Sequence, residues 1–178
     1  DFAIMGSSLF KSLFPNETAK VALLNIGSEE IKGNEVIKST YQKLNQIHKE
    51  EQYEFKGYIE GNSLMNGEVN VIVADGFTGN VALKTAEGTA NFITSELKKA
   101  MKSSLLGKIS GLLSYTNLNQ FKKRLDPRLY NGAIFIGLDS PVIKSHGSTD
   151  YIGFSNSLSV CEKVVKGDLI NKIKKNIN

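Results

Sequence analysis

The chain has 178 residues, of which 40% are hydrophobic and 22% are charged, and this mixture suffices for one compact domain spanning residues 1–178. Its single cysteine cannot form an internal disulfide bond, and its two histidines, His48 and His146, are too far apart to predict a zinc site with close ligand spacing. No apolar run reaches the roughly 18–20 residues that a membrane-spanning helix needs. We therefore expect a cytoplasmic domain without a metal ion.

Strand and helix patterns alternate along the first half of the chain. Residues 21–26 (VALLNI) and 69–74 (VNVIVA) are continuous apolar runs, typical of interior strands covered on both faces. Residues 53–59 (YEFKGYI) predict a strand with Tyr53, Phe55 and Ile59 on one side. Apolar residues at helical spacing follow the first run over residues 36–48 and the second over about residues 80–101.

A further cycle follows in the second half. Residues 133–138 (AIFIGL) predict a strand, residues 142–143 a short strand, and residues 151–173 one terminal helix. The alternation of strands and helices predicts an α/β domain with a mainly parallel sheet.

Three segments at the expected ends of strands share one chemistry. Residues 25–35 and 75–80 follow the first two apolar runs, and residues 144–150 precede the last helix. Each combines glycine with hydroxyl or amide side chains, and each has a lysine close by: Lys32, Lys84 and Lys144. Glycine lets backbone N–H groups approach a ligand, and helix N-termini and lysines attract anions. Together the segments predict a phosphate site beyond the carboxyl ends of the strands.

By spacing alone that prediction is weak. Neither the nucleotide-binding G-x-x-x-x-G-K-[ST] pattern nor the dinucleotide-binding G-x-G-x-x-G pattern is present. Spacing alone favours a helix cap followed by a tight turn for residues 78–80, and a solvated surface lysine for Lys84.

Four motifs carry a resemblance to a known family. Residues 21–35 (VALLNIGSEEIKGNE), 75–85 (DGFTGNVALKT), 124–126 (RLD) and 143–150 (IKSHGSTD), in this order, resemble the bacterial phosphate acyltransferase family, PlsX. Members of that family are about twice as long, so the chain resembles their carboxyl-terminal half and we expect an amino-terminal part to be missing. The resemblance implies a three-layer α/β/α fold similar to that of isocitrate and isopropylmalate dehydrogenases, and no cofactor.

The implied reaction moves a long-chain fatty acyl group from the thioester of acyl carrier protein to inorganic phosphate, giving acyl phosphate for phospholipid synthesis. Phosphate must be held and desolvated before it attacks the thioester, and no protein nucleophile is needed. We expect four catalytic residues: Lys84, His146, Asp75 and Asp150. We expect substrate and phosphate to be bound by Lys32, Asn34, Gly76, Thr78, Gly79, Asn80, Lys144, Gly147 and Ser148.

Basic residues concentrate in residues 96–128, where eight basic side chains outnumber two acidic ones, although the whole chain has a net charge of only +4. The apolar residues of this segment recur every three or four positions, which predicts an amphipathic helical hairpin protruding from the domain. Cations flank its tip, as expected for a contact with an anionic membrane. The expected membrane contacts are Leu105, Leu106, Ile109, Leu112 and Leu113. The alternative is that the stripe packs into the domain or a subunit interface, and the resemblance also implies a homodimer.

Other functions remain open at this point. The enzymatic alternatives are proteins similar to phosphate acetyltransferase or to a decarboxylating dehydrogenase, and the missing dinucleotide pattern argues against the dehydrogenase. A non-catalytic docking module for membranes or nucleic acid would use the basic segment alone. Because the remainder of the chain is close to neutral, we expect no nucleic-acid partner.

Overall fold

The computed structural model describes residues 1–47, 53–147 and 149–177, so the predictions for His48 and Ser148 lie outside the described residues. The helices are α1 (Phe2–Leu13), α2 (Glu35–Ile47), α3 (Gly76–Lys102), α4 (Leu105–Leu113), α5 (Tyr115–Arg124), α6 (Tyr151–Lys166) and α7 (Leu169–Ile177). The strands are β1 (Ala19–Asn25), β2 (Tyr53–Glu60), β3 (Val71–Val73), β4 (Ala133–Ile134) and β5 (Ile143–Lys144). None of the helices in the described ranges combines the length and apolar character needed to cross a membrane.

The first three strands form a parallel sheet in the order β2-β1-β3, which confirms the predicted α/β class. In β1 only Lys20 is exposed, so the prediction of an interior strand is confirmed there. For β3 it is wrong, because β3 is an edge strand of this sheet and the side chain of Ile72 is exposed. Only three residues of the predicted run pair with β1.

One hydrophobic core joins the sheet to α1 and α2. The buried residues Ala19, Val21 and Leu23 alternate along β1 and contact Ala3 of α1 and Leu44 of α2 in a single cluster. Alternate residues of a strand share one face, so both helices pack on the same side of the sheet.

A β-bulge in β2 changes which residues face that core. The register with β1 shifts between the pairs Val21↔Phe55 and Leu23↔Tyr58, and Gly57 in the bulge has a φ of 81°. A left-handed conformation of this kind favours glycine. Tyr58 therefore packs beside Phe55, and Ile59 lies on the opposite face, so the predicted side for Ile59 is wrong.

A second core joins α1 to the end of the chain. Val164 of α6 and Leu169 and Ile173 of α7 are buried against Met5 and Leu9 on another side of α1. The predicted single terminal helix is wrong, because the chain breaks at residues 167–168, where Asp168 has a φ of 52°.

At this break Gly167 lies against α1, where an added Cβ would be 2.6 Å from the carbonyl oxygen of Ser12. The close approach is stabilised by a hydrogen bond of 3.2 Å from the Ser12 hydroxyl to the carbonyl oxygen of Gly167.

The strand predicted over residues 133–138 is mostly absent. Only Ala133 and Ile134 pair, antiparallel with Ile143 and Lys144, and they do not join the parallel sheet. The chain turns away beyond Phe135, and Gly137 has a φ of 89°.

Helices α3, α4 and α5 carry the basic segment. None of their residues is buried in the part of the chain that the structure describes. The chain folds back after α3, where an added Cβ on Gly107 would lie 2.9 Å from the carbonyl oxygen of Met101. Glycine therefore allows α4 to pack against the end of α3.

Candidate functional site

The carboxyl ends of the parallel strands form one edge of the sheet. Asn25 of β1 pairs with Glu60 of β2, and Leu23 pairs with Val73 of β3. The pairing with β3 ends there, two residues before Asn25 in β1 and two residues before Asp75 beyond β3. The loops that follow β1 and β3, which are two of the three predicted phosphate segments, therefore begin side by side.

The loop after β1 is closed by a single buried side chain. Nδ2 of Asn25 donates to the carbonyl oxygens of Gly27, at 3.1 Å, and of Lys32, at 3.2 Å. At the far end of the loop Asn34 Oδ1 accepts from the backbone N–H of Ile37 at 2.9 Å, so Asn34 caps α2. The side chain of Lys32 remains exposed.

The segment after β3 forms the first turn of α3. Asp75 is the N-cap and accepts a hydrogen bond of 2.9 Å from the backbone N–H of Thr78 as well as one from the Thr78 hydroxyl. These bonds, the hydroxyl first, lower the pKa of Asp75 below its ordinary value. Gly76, Gly79 and Asn80 lie within the same first turns, where unpaired backbone N–H groups and the helix dipole favour an anion.

Lys84 lies two turns into α3. Its ammonium group is 2.7 Å from a carboxylate oxygen of Glu87, and both side chains are partly exposed. Residues 78–80 lie inside α3, whose cap is Asp75, so the interpretation of these three residues as a helix cap followed by a tight turn is wrong. An anion at this N-terminus would still be within reach of backbone donors.

The third segment follows β5 and precedes α6, outside the parallel sheet. Asn131 organises it: Nδ2 lies 2.8 Å from Ser145 Oγ, 2.9 Å from Thr149 Oγ1 and 3.0 Å from the carbonyl oxygen of Gly153. Asn131 Oδ1 accepts from the backbone N–H of His146 at 3.1 Å. The hydrogen bonds of Asn131 thus hold this segment in place. Three of its candidate residues are exposed: Lys144, His146 and Gly147.

Asp150 caps α6 by accepting 3.1 Å hydrogen bonds from the backbone N–H groups of Ile152 and Gly153. Arg128 donates to Asp150 at 2.8 Å and to Asp126 at 2.6 Å, so one guanidinium joins two carboxylates. Arg128 lowers the pKa of Asp126 from 3.8 to about 2, and the hydrogen bond from Gly153, followed by that from Arg128, lowers the pKa of Asp150.

Strand direction therefore brings the first two predicted segments together, while the third is held by a separate set of contacts beside α6. Sequence reasoning missed Asn25, Arg128 and Asn131 as organisers of these turns. A signal was present for Asn25, an amide ending an otherwise apolar strand, whereas the partners of Arg128 and Asn131 lie up to 28 residues away. In the described part of the chain, no three His, Cys, Asp or Glu side chains group in a way that would hold a metal ion.

Comparison with known proteins identifies the family. The profile of a family described as "Fatty acid synthesis protein" matches residues 1–172. The chain is 78% identical over 177 residues to the protein named phosphate acyltransferase in Pelagibacter ubique (strain HTCC1062), a match covering 99% of this chain and 53% of that protein. The chain belongs to the fatty acid synthesis protein family. This is the phosphate acyltransferase (PlsX) family whose motifs the sequence resembles, so the predicted resemblance is confirmed.

Two further members of the phosphate acyltransferase family match a similar share of the chain at lower identity. The chain is 45% identical over 172 residues to the phosphate acyltransferase of Parvibaculum lavamentivorans, covering 97% of this chain and 47% of that protein. It is 42% identical over 175 residues to that of Paramagnetospirillum magneticum, covering 98% and 49%. The chain thus spans about half the length of the curated relatives it matches.

Proposed function

We propose that the full-length protein containing this chain transfers a fatty acyl group from acyl carrier protein to inorganic phosphate, forming acyl phosphate for phospholipid synthesis. The observation that carries the proposal is the parallel pairing of β1 with β3, which brings two glycine-containing segments, each with a lysine nearby in sequence, to one edge of the sheet. The name shared by the relatives supports acyl transfer to phosphate as the reaction.

In the proposed site the N-terminus of α3 holds phosphate. Backbone N–H groups of the turn at residues 76–80, the hydroxyl of Thr78 and the amide of Asn80 would surround its oxygens, and Lys84 and Lys32 would balance its charge. Asp75 keeps the turn in place by accepting from Thr78. Glu60 begins the turn at the end of the adjacent strand and would close the same edge.

The chemical step needs a nucleophile, an electrophile and a proton. An oxygen of the bound phosphate attacks the thioester carbonyl carbon, and the carbon–sulfur bond then breaks. The electron pair leaves with the sulfur of the carrier's prosthetic group, which takes up one proton. In our proposal Lys144 and His146 stabilise the carbonyl oxygen or supply that proton, and Gly147 and Ser148 help to bind the substrate. Asp150 orients the turn by capping α6.

The wider setting is also proposed. The complete fold would be three-layered α/β/α, as in isocitrate and isopropylmalate dehydrogenases, with residues 96–128 as a protruding helical hairpin. The protein would work in the cytoplasm as a homodimer in peripheral contact with an anionic membrane. Support comes from α4, where Leu105, Leu106, Leu112 and Leu113 are each at least 75% exposed between basic residues.

The test is a kinetic comparison in the full-length protein, with acyl carrier thioester and phosphate as substrates. Lys84→Ala should lower kcat/KM for phosphate by about 100-fold or more, because the reacting anion loses the positive charge of the lysine ammonium group. Lys99→Ala is the matched control, since Lys99 lies on the same helix and forms a similar ion pair, 2.6 Å from Glu96.

Unchanged kinetics in Lys84→Ala would remove that lysine from the site. Failure of the unaltered protein to transfer long-chain acyl groups would overturn the proposed function, and activity with acetyl donors alone would favour a phosphate acetyltransferase-like enzyme.

A further inference from the structure

The side chain of Asn25 occupies an unusual place. It is 5% exposed, lies at the carboxyl end of the central strand β1, and pairs with Glu60 of β2. Burying an amide is costly unless its hydrogen bonds are made. The fold therefore keeps this polar group for a purpose that an apolar residue would not serve.

Its hydrogen bonds show what that purpose is. The two donors of Nδ2 are both spent on the nine-residue loop between β1 and α2, one on Gly27 and one on Lys32. These carbonyl groups lie five residues apart in the chain, so one side chain holds both limbs of the loop. The hydroxyl of Tyr41 in α2 also donates to Glu30 of this loop at 3.3 Å, which joins the loop to α2.

The acceptor atom of Asn25 has a different role. Oδ1 is buried and makes no hydrogen bond in the described part of the chain. It lies against Gly33, whose φ is 91°, and a Cβ at position 33 would collide with it. The left-handed glycine and the buried amide therefore fit one another, and together they fix the backbone at residues 32–33.

We propose that Asn25 is a positioning residue for phosphate, which presets the loop at residues 26–34 so that Lys32 faces the anion held at the N-terminus of α3. The inference rests on the proposed function, since it assigns Asn25 to the same phosphate site. Asn25 does not touch the phosphate. Its effect is to present the lysine without a loss of loop entropy on binding.

The experiment measures the KM for phosphate, the KM for acyl carrier thioester and kcat in the full-length protein. Asn25→Ala should raise the phosphate KM by about 10- to 100-fold, because the lysine is no longer held in position, while the thioester KM stays within about threefold. Isothermal titration with inorganic phosphate alone should show the same loss of affinity. Gly33→Ala, which leaves Asn25 in place but displaces the loop, should raise the phosphate KM in the same way.

Asn70 supplies the matched control. Its side chain also clamps backbone, accepting from the N–H of Lys20 at 2.6 Å and donating to the carbonyl oxygen of Thr18 at 3.3 Å, but it does so at the opposite ends of the strands. Asn70→Ala should lower the melting temperature and leave the phosphate KM unchanged.

The outcomes distinguish a failure of the positioning role of Asn25 from a failure of the proposed function. If the unaltered protein transfers acyl groups to phosphate but Asn25→Ala and Gly33→Ala bind phosphate as tightly as it does, the positioning role is overturned and the function stands. An equal rise in the phosphate KM for Asn70→Ala would also overturn it, because general destabilisation would explain the effect. If the unaltered protein neither binds phosphate nor transfers acyl groups, the function fails and the inference with it.

Discussion

Arg128 shows how one side chain organises a turn far from it in the chain. Its guanidinium joins Asp126, two residues away, to Asp150, the cap of α6, and its carbonyl oxygen accepts from Asn156 at 2.9 Å. The start of α6 is therefore fixed to the segment that ends the basic region. Since residues 144–150 lead directly into that cap, the geometry of the third candidate segment depends on this ion pair.

The lowered pKa of Asp126 gives a prediction for acid stability. A carboxylate whose pKa falls from 3.8 to about 2 on folding contributes stability that is present above about pH 4 and lost as the pH falls toward 2. Asp126→Asn should therefore lower the urea midpoint at pH 7, and its difference from the unaltered protein should shrink toward zero near pH 2. Urea unfolding at a series of pH values measures this.

Arg128→Met provides the internal check on that prediction, because it removes the group that lowers the pKa. It should flatten the same part of the pH profile. A difference between Asp126→Asn and the unaltered protein that stays constant from pH 7 to pH 2 would contradict the assignment.

At this scale the sequence predicts the residue types of the proposed site but not the contacts that support them. Glycines, lysines and amides of the phosphate segments are recognisable because they cluster locally. Asn131 is different, because its role depends on hydrogen bonds with Ser145 and Thr149. These residues are distant in the chain and are brought close to Asn131 where β4 pairs with β5. A contact made by folding has no local sequence signal.

Among the elements, β1 was predictable and β4 was not. A run of apolar residues in a central strand is buried on both faces, and its composition alone predicts this. Residues 133–138 have the same composition, yet the chain leaves the strand after two residues and places Ile136 against α6 and α7 instead. Periodicity cannot distinguish an apolar strand from an apolar turn that packs on helices.

The bulge in β2 is a second case. Strict alternation predicts Ile59 on the side of Phe55, and one extra residue at Gly57 gives that side to Tyr58. Tyr58 and Tyr41 then pack with ring centroids 4.6 Å apart, and burial, followed by the charge of Glu30, raises the pKa of both hydroxyls. The glycine was visible in the sequence, but its left-handed conformation follows from the pairing with β1.

Helix α4 carries the prediction of a membrane contact. Replacing Leu105, Leu106 and Leu112 together by Glu should abolish flotation of the full-length protein with vesicles rich in anionic lipid, because each buried leucine contributes roughly 1.5–3 kcal/mol and a carboxylate is repelled by the leaflet. Val36→Glu is the control, since Val36 is equally exposed, at 73%, but lies on α2.

Undiminished flotation of the triple variant would contradict the proposed membrane contact of α4. A change in subunit number with unchanged flotation would assign the apolar stripe to a subunit interface instead, which light scattering would reveal.

Over the whole molecule, α1 is the element that holds the two cores together. One side packs on the sheet through Ala3 and Phe10, and another packs on α6 and α7 through Met5 and Leu9. The sheet with the first two predicted segments and the α6 region with the third are therefore joined through one helix. The α/β class was predictable from alternating patterns, whereas this arrangement depends on how both sides of α1 are buried.

The central claim is that the loop after β1 and the first turns of α3 hold one phosphate. Hydrogen–deuterium exchange of the full-length protein, with and without inorganic phosphate, tests it most directly, because amides that donate to a bound anion exchange more slowly. We predict slower exchange in residues 26–34 and 75–80 together, at one and the same phosphate concentration. Protection confined to one segment, or found only elsewhere in the protein, would contradict the claim.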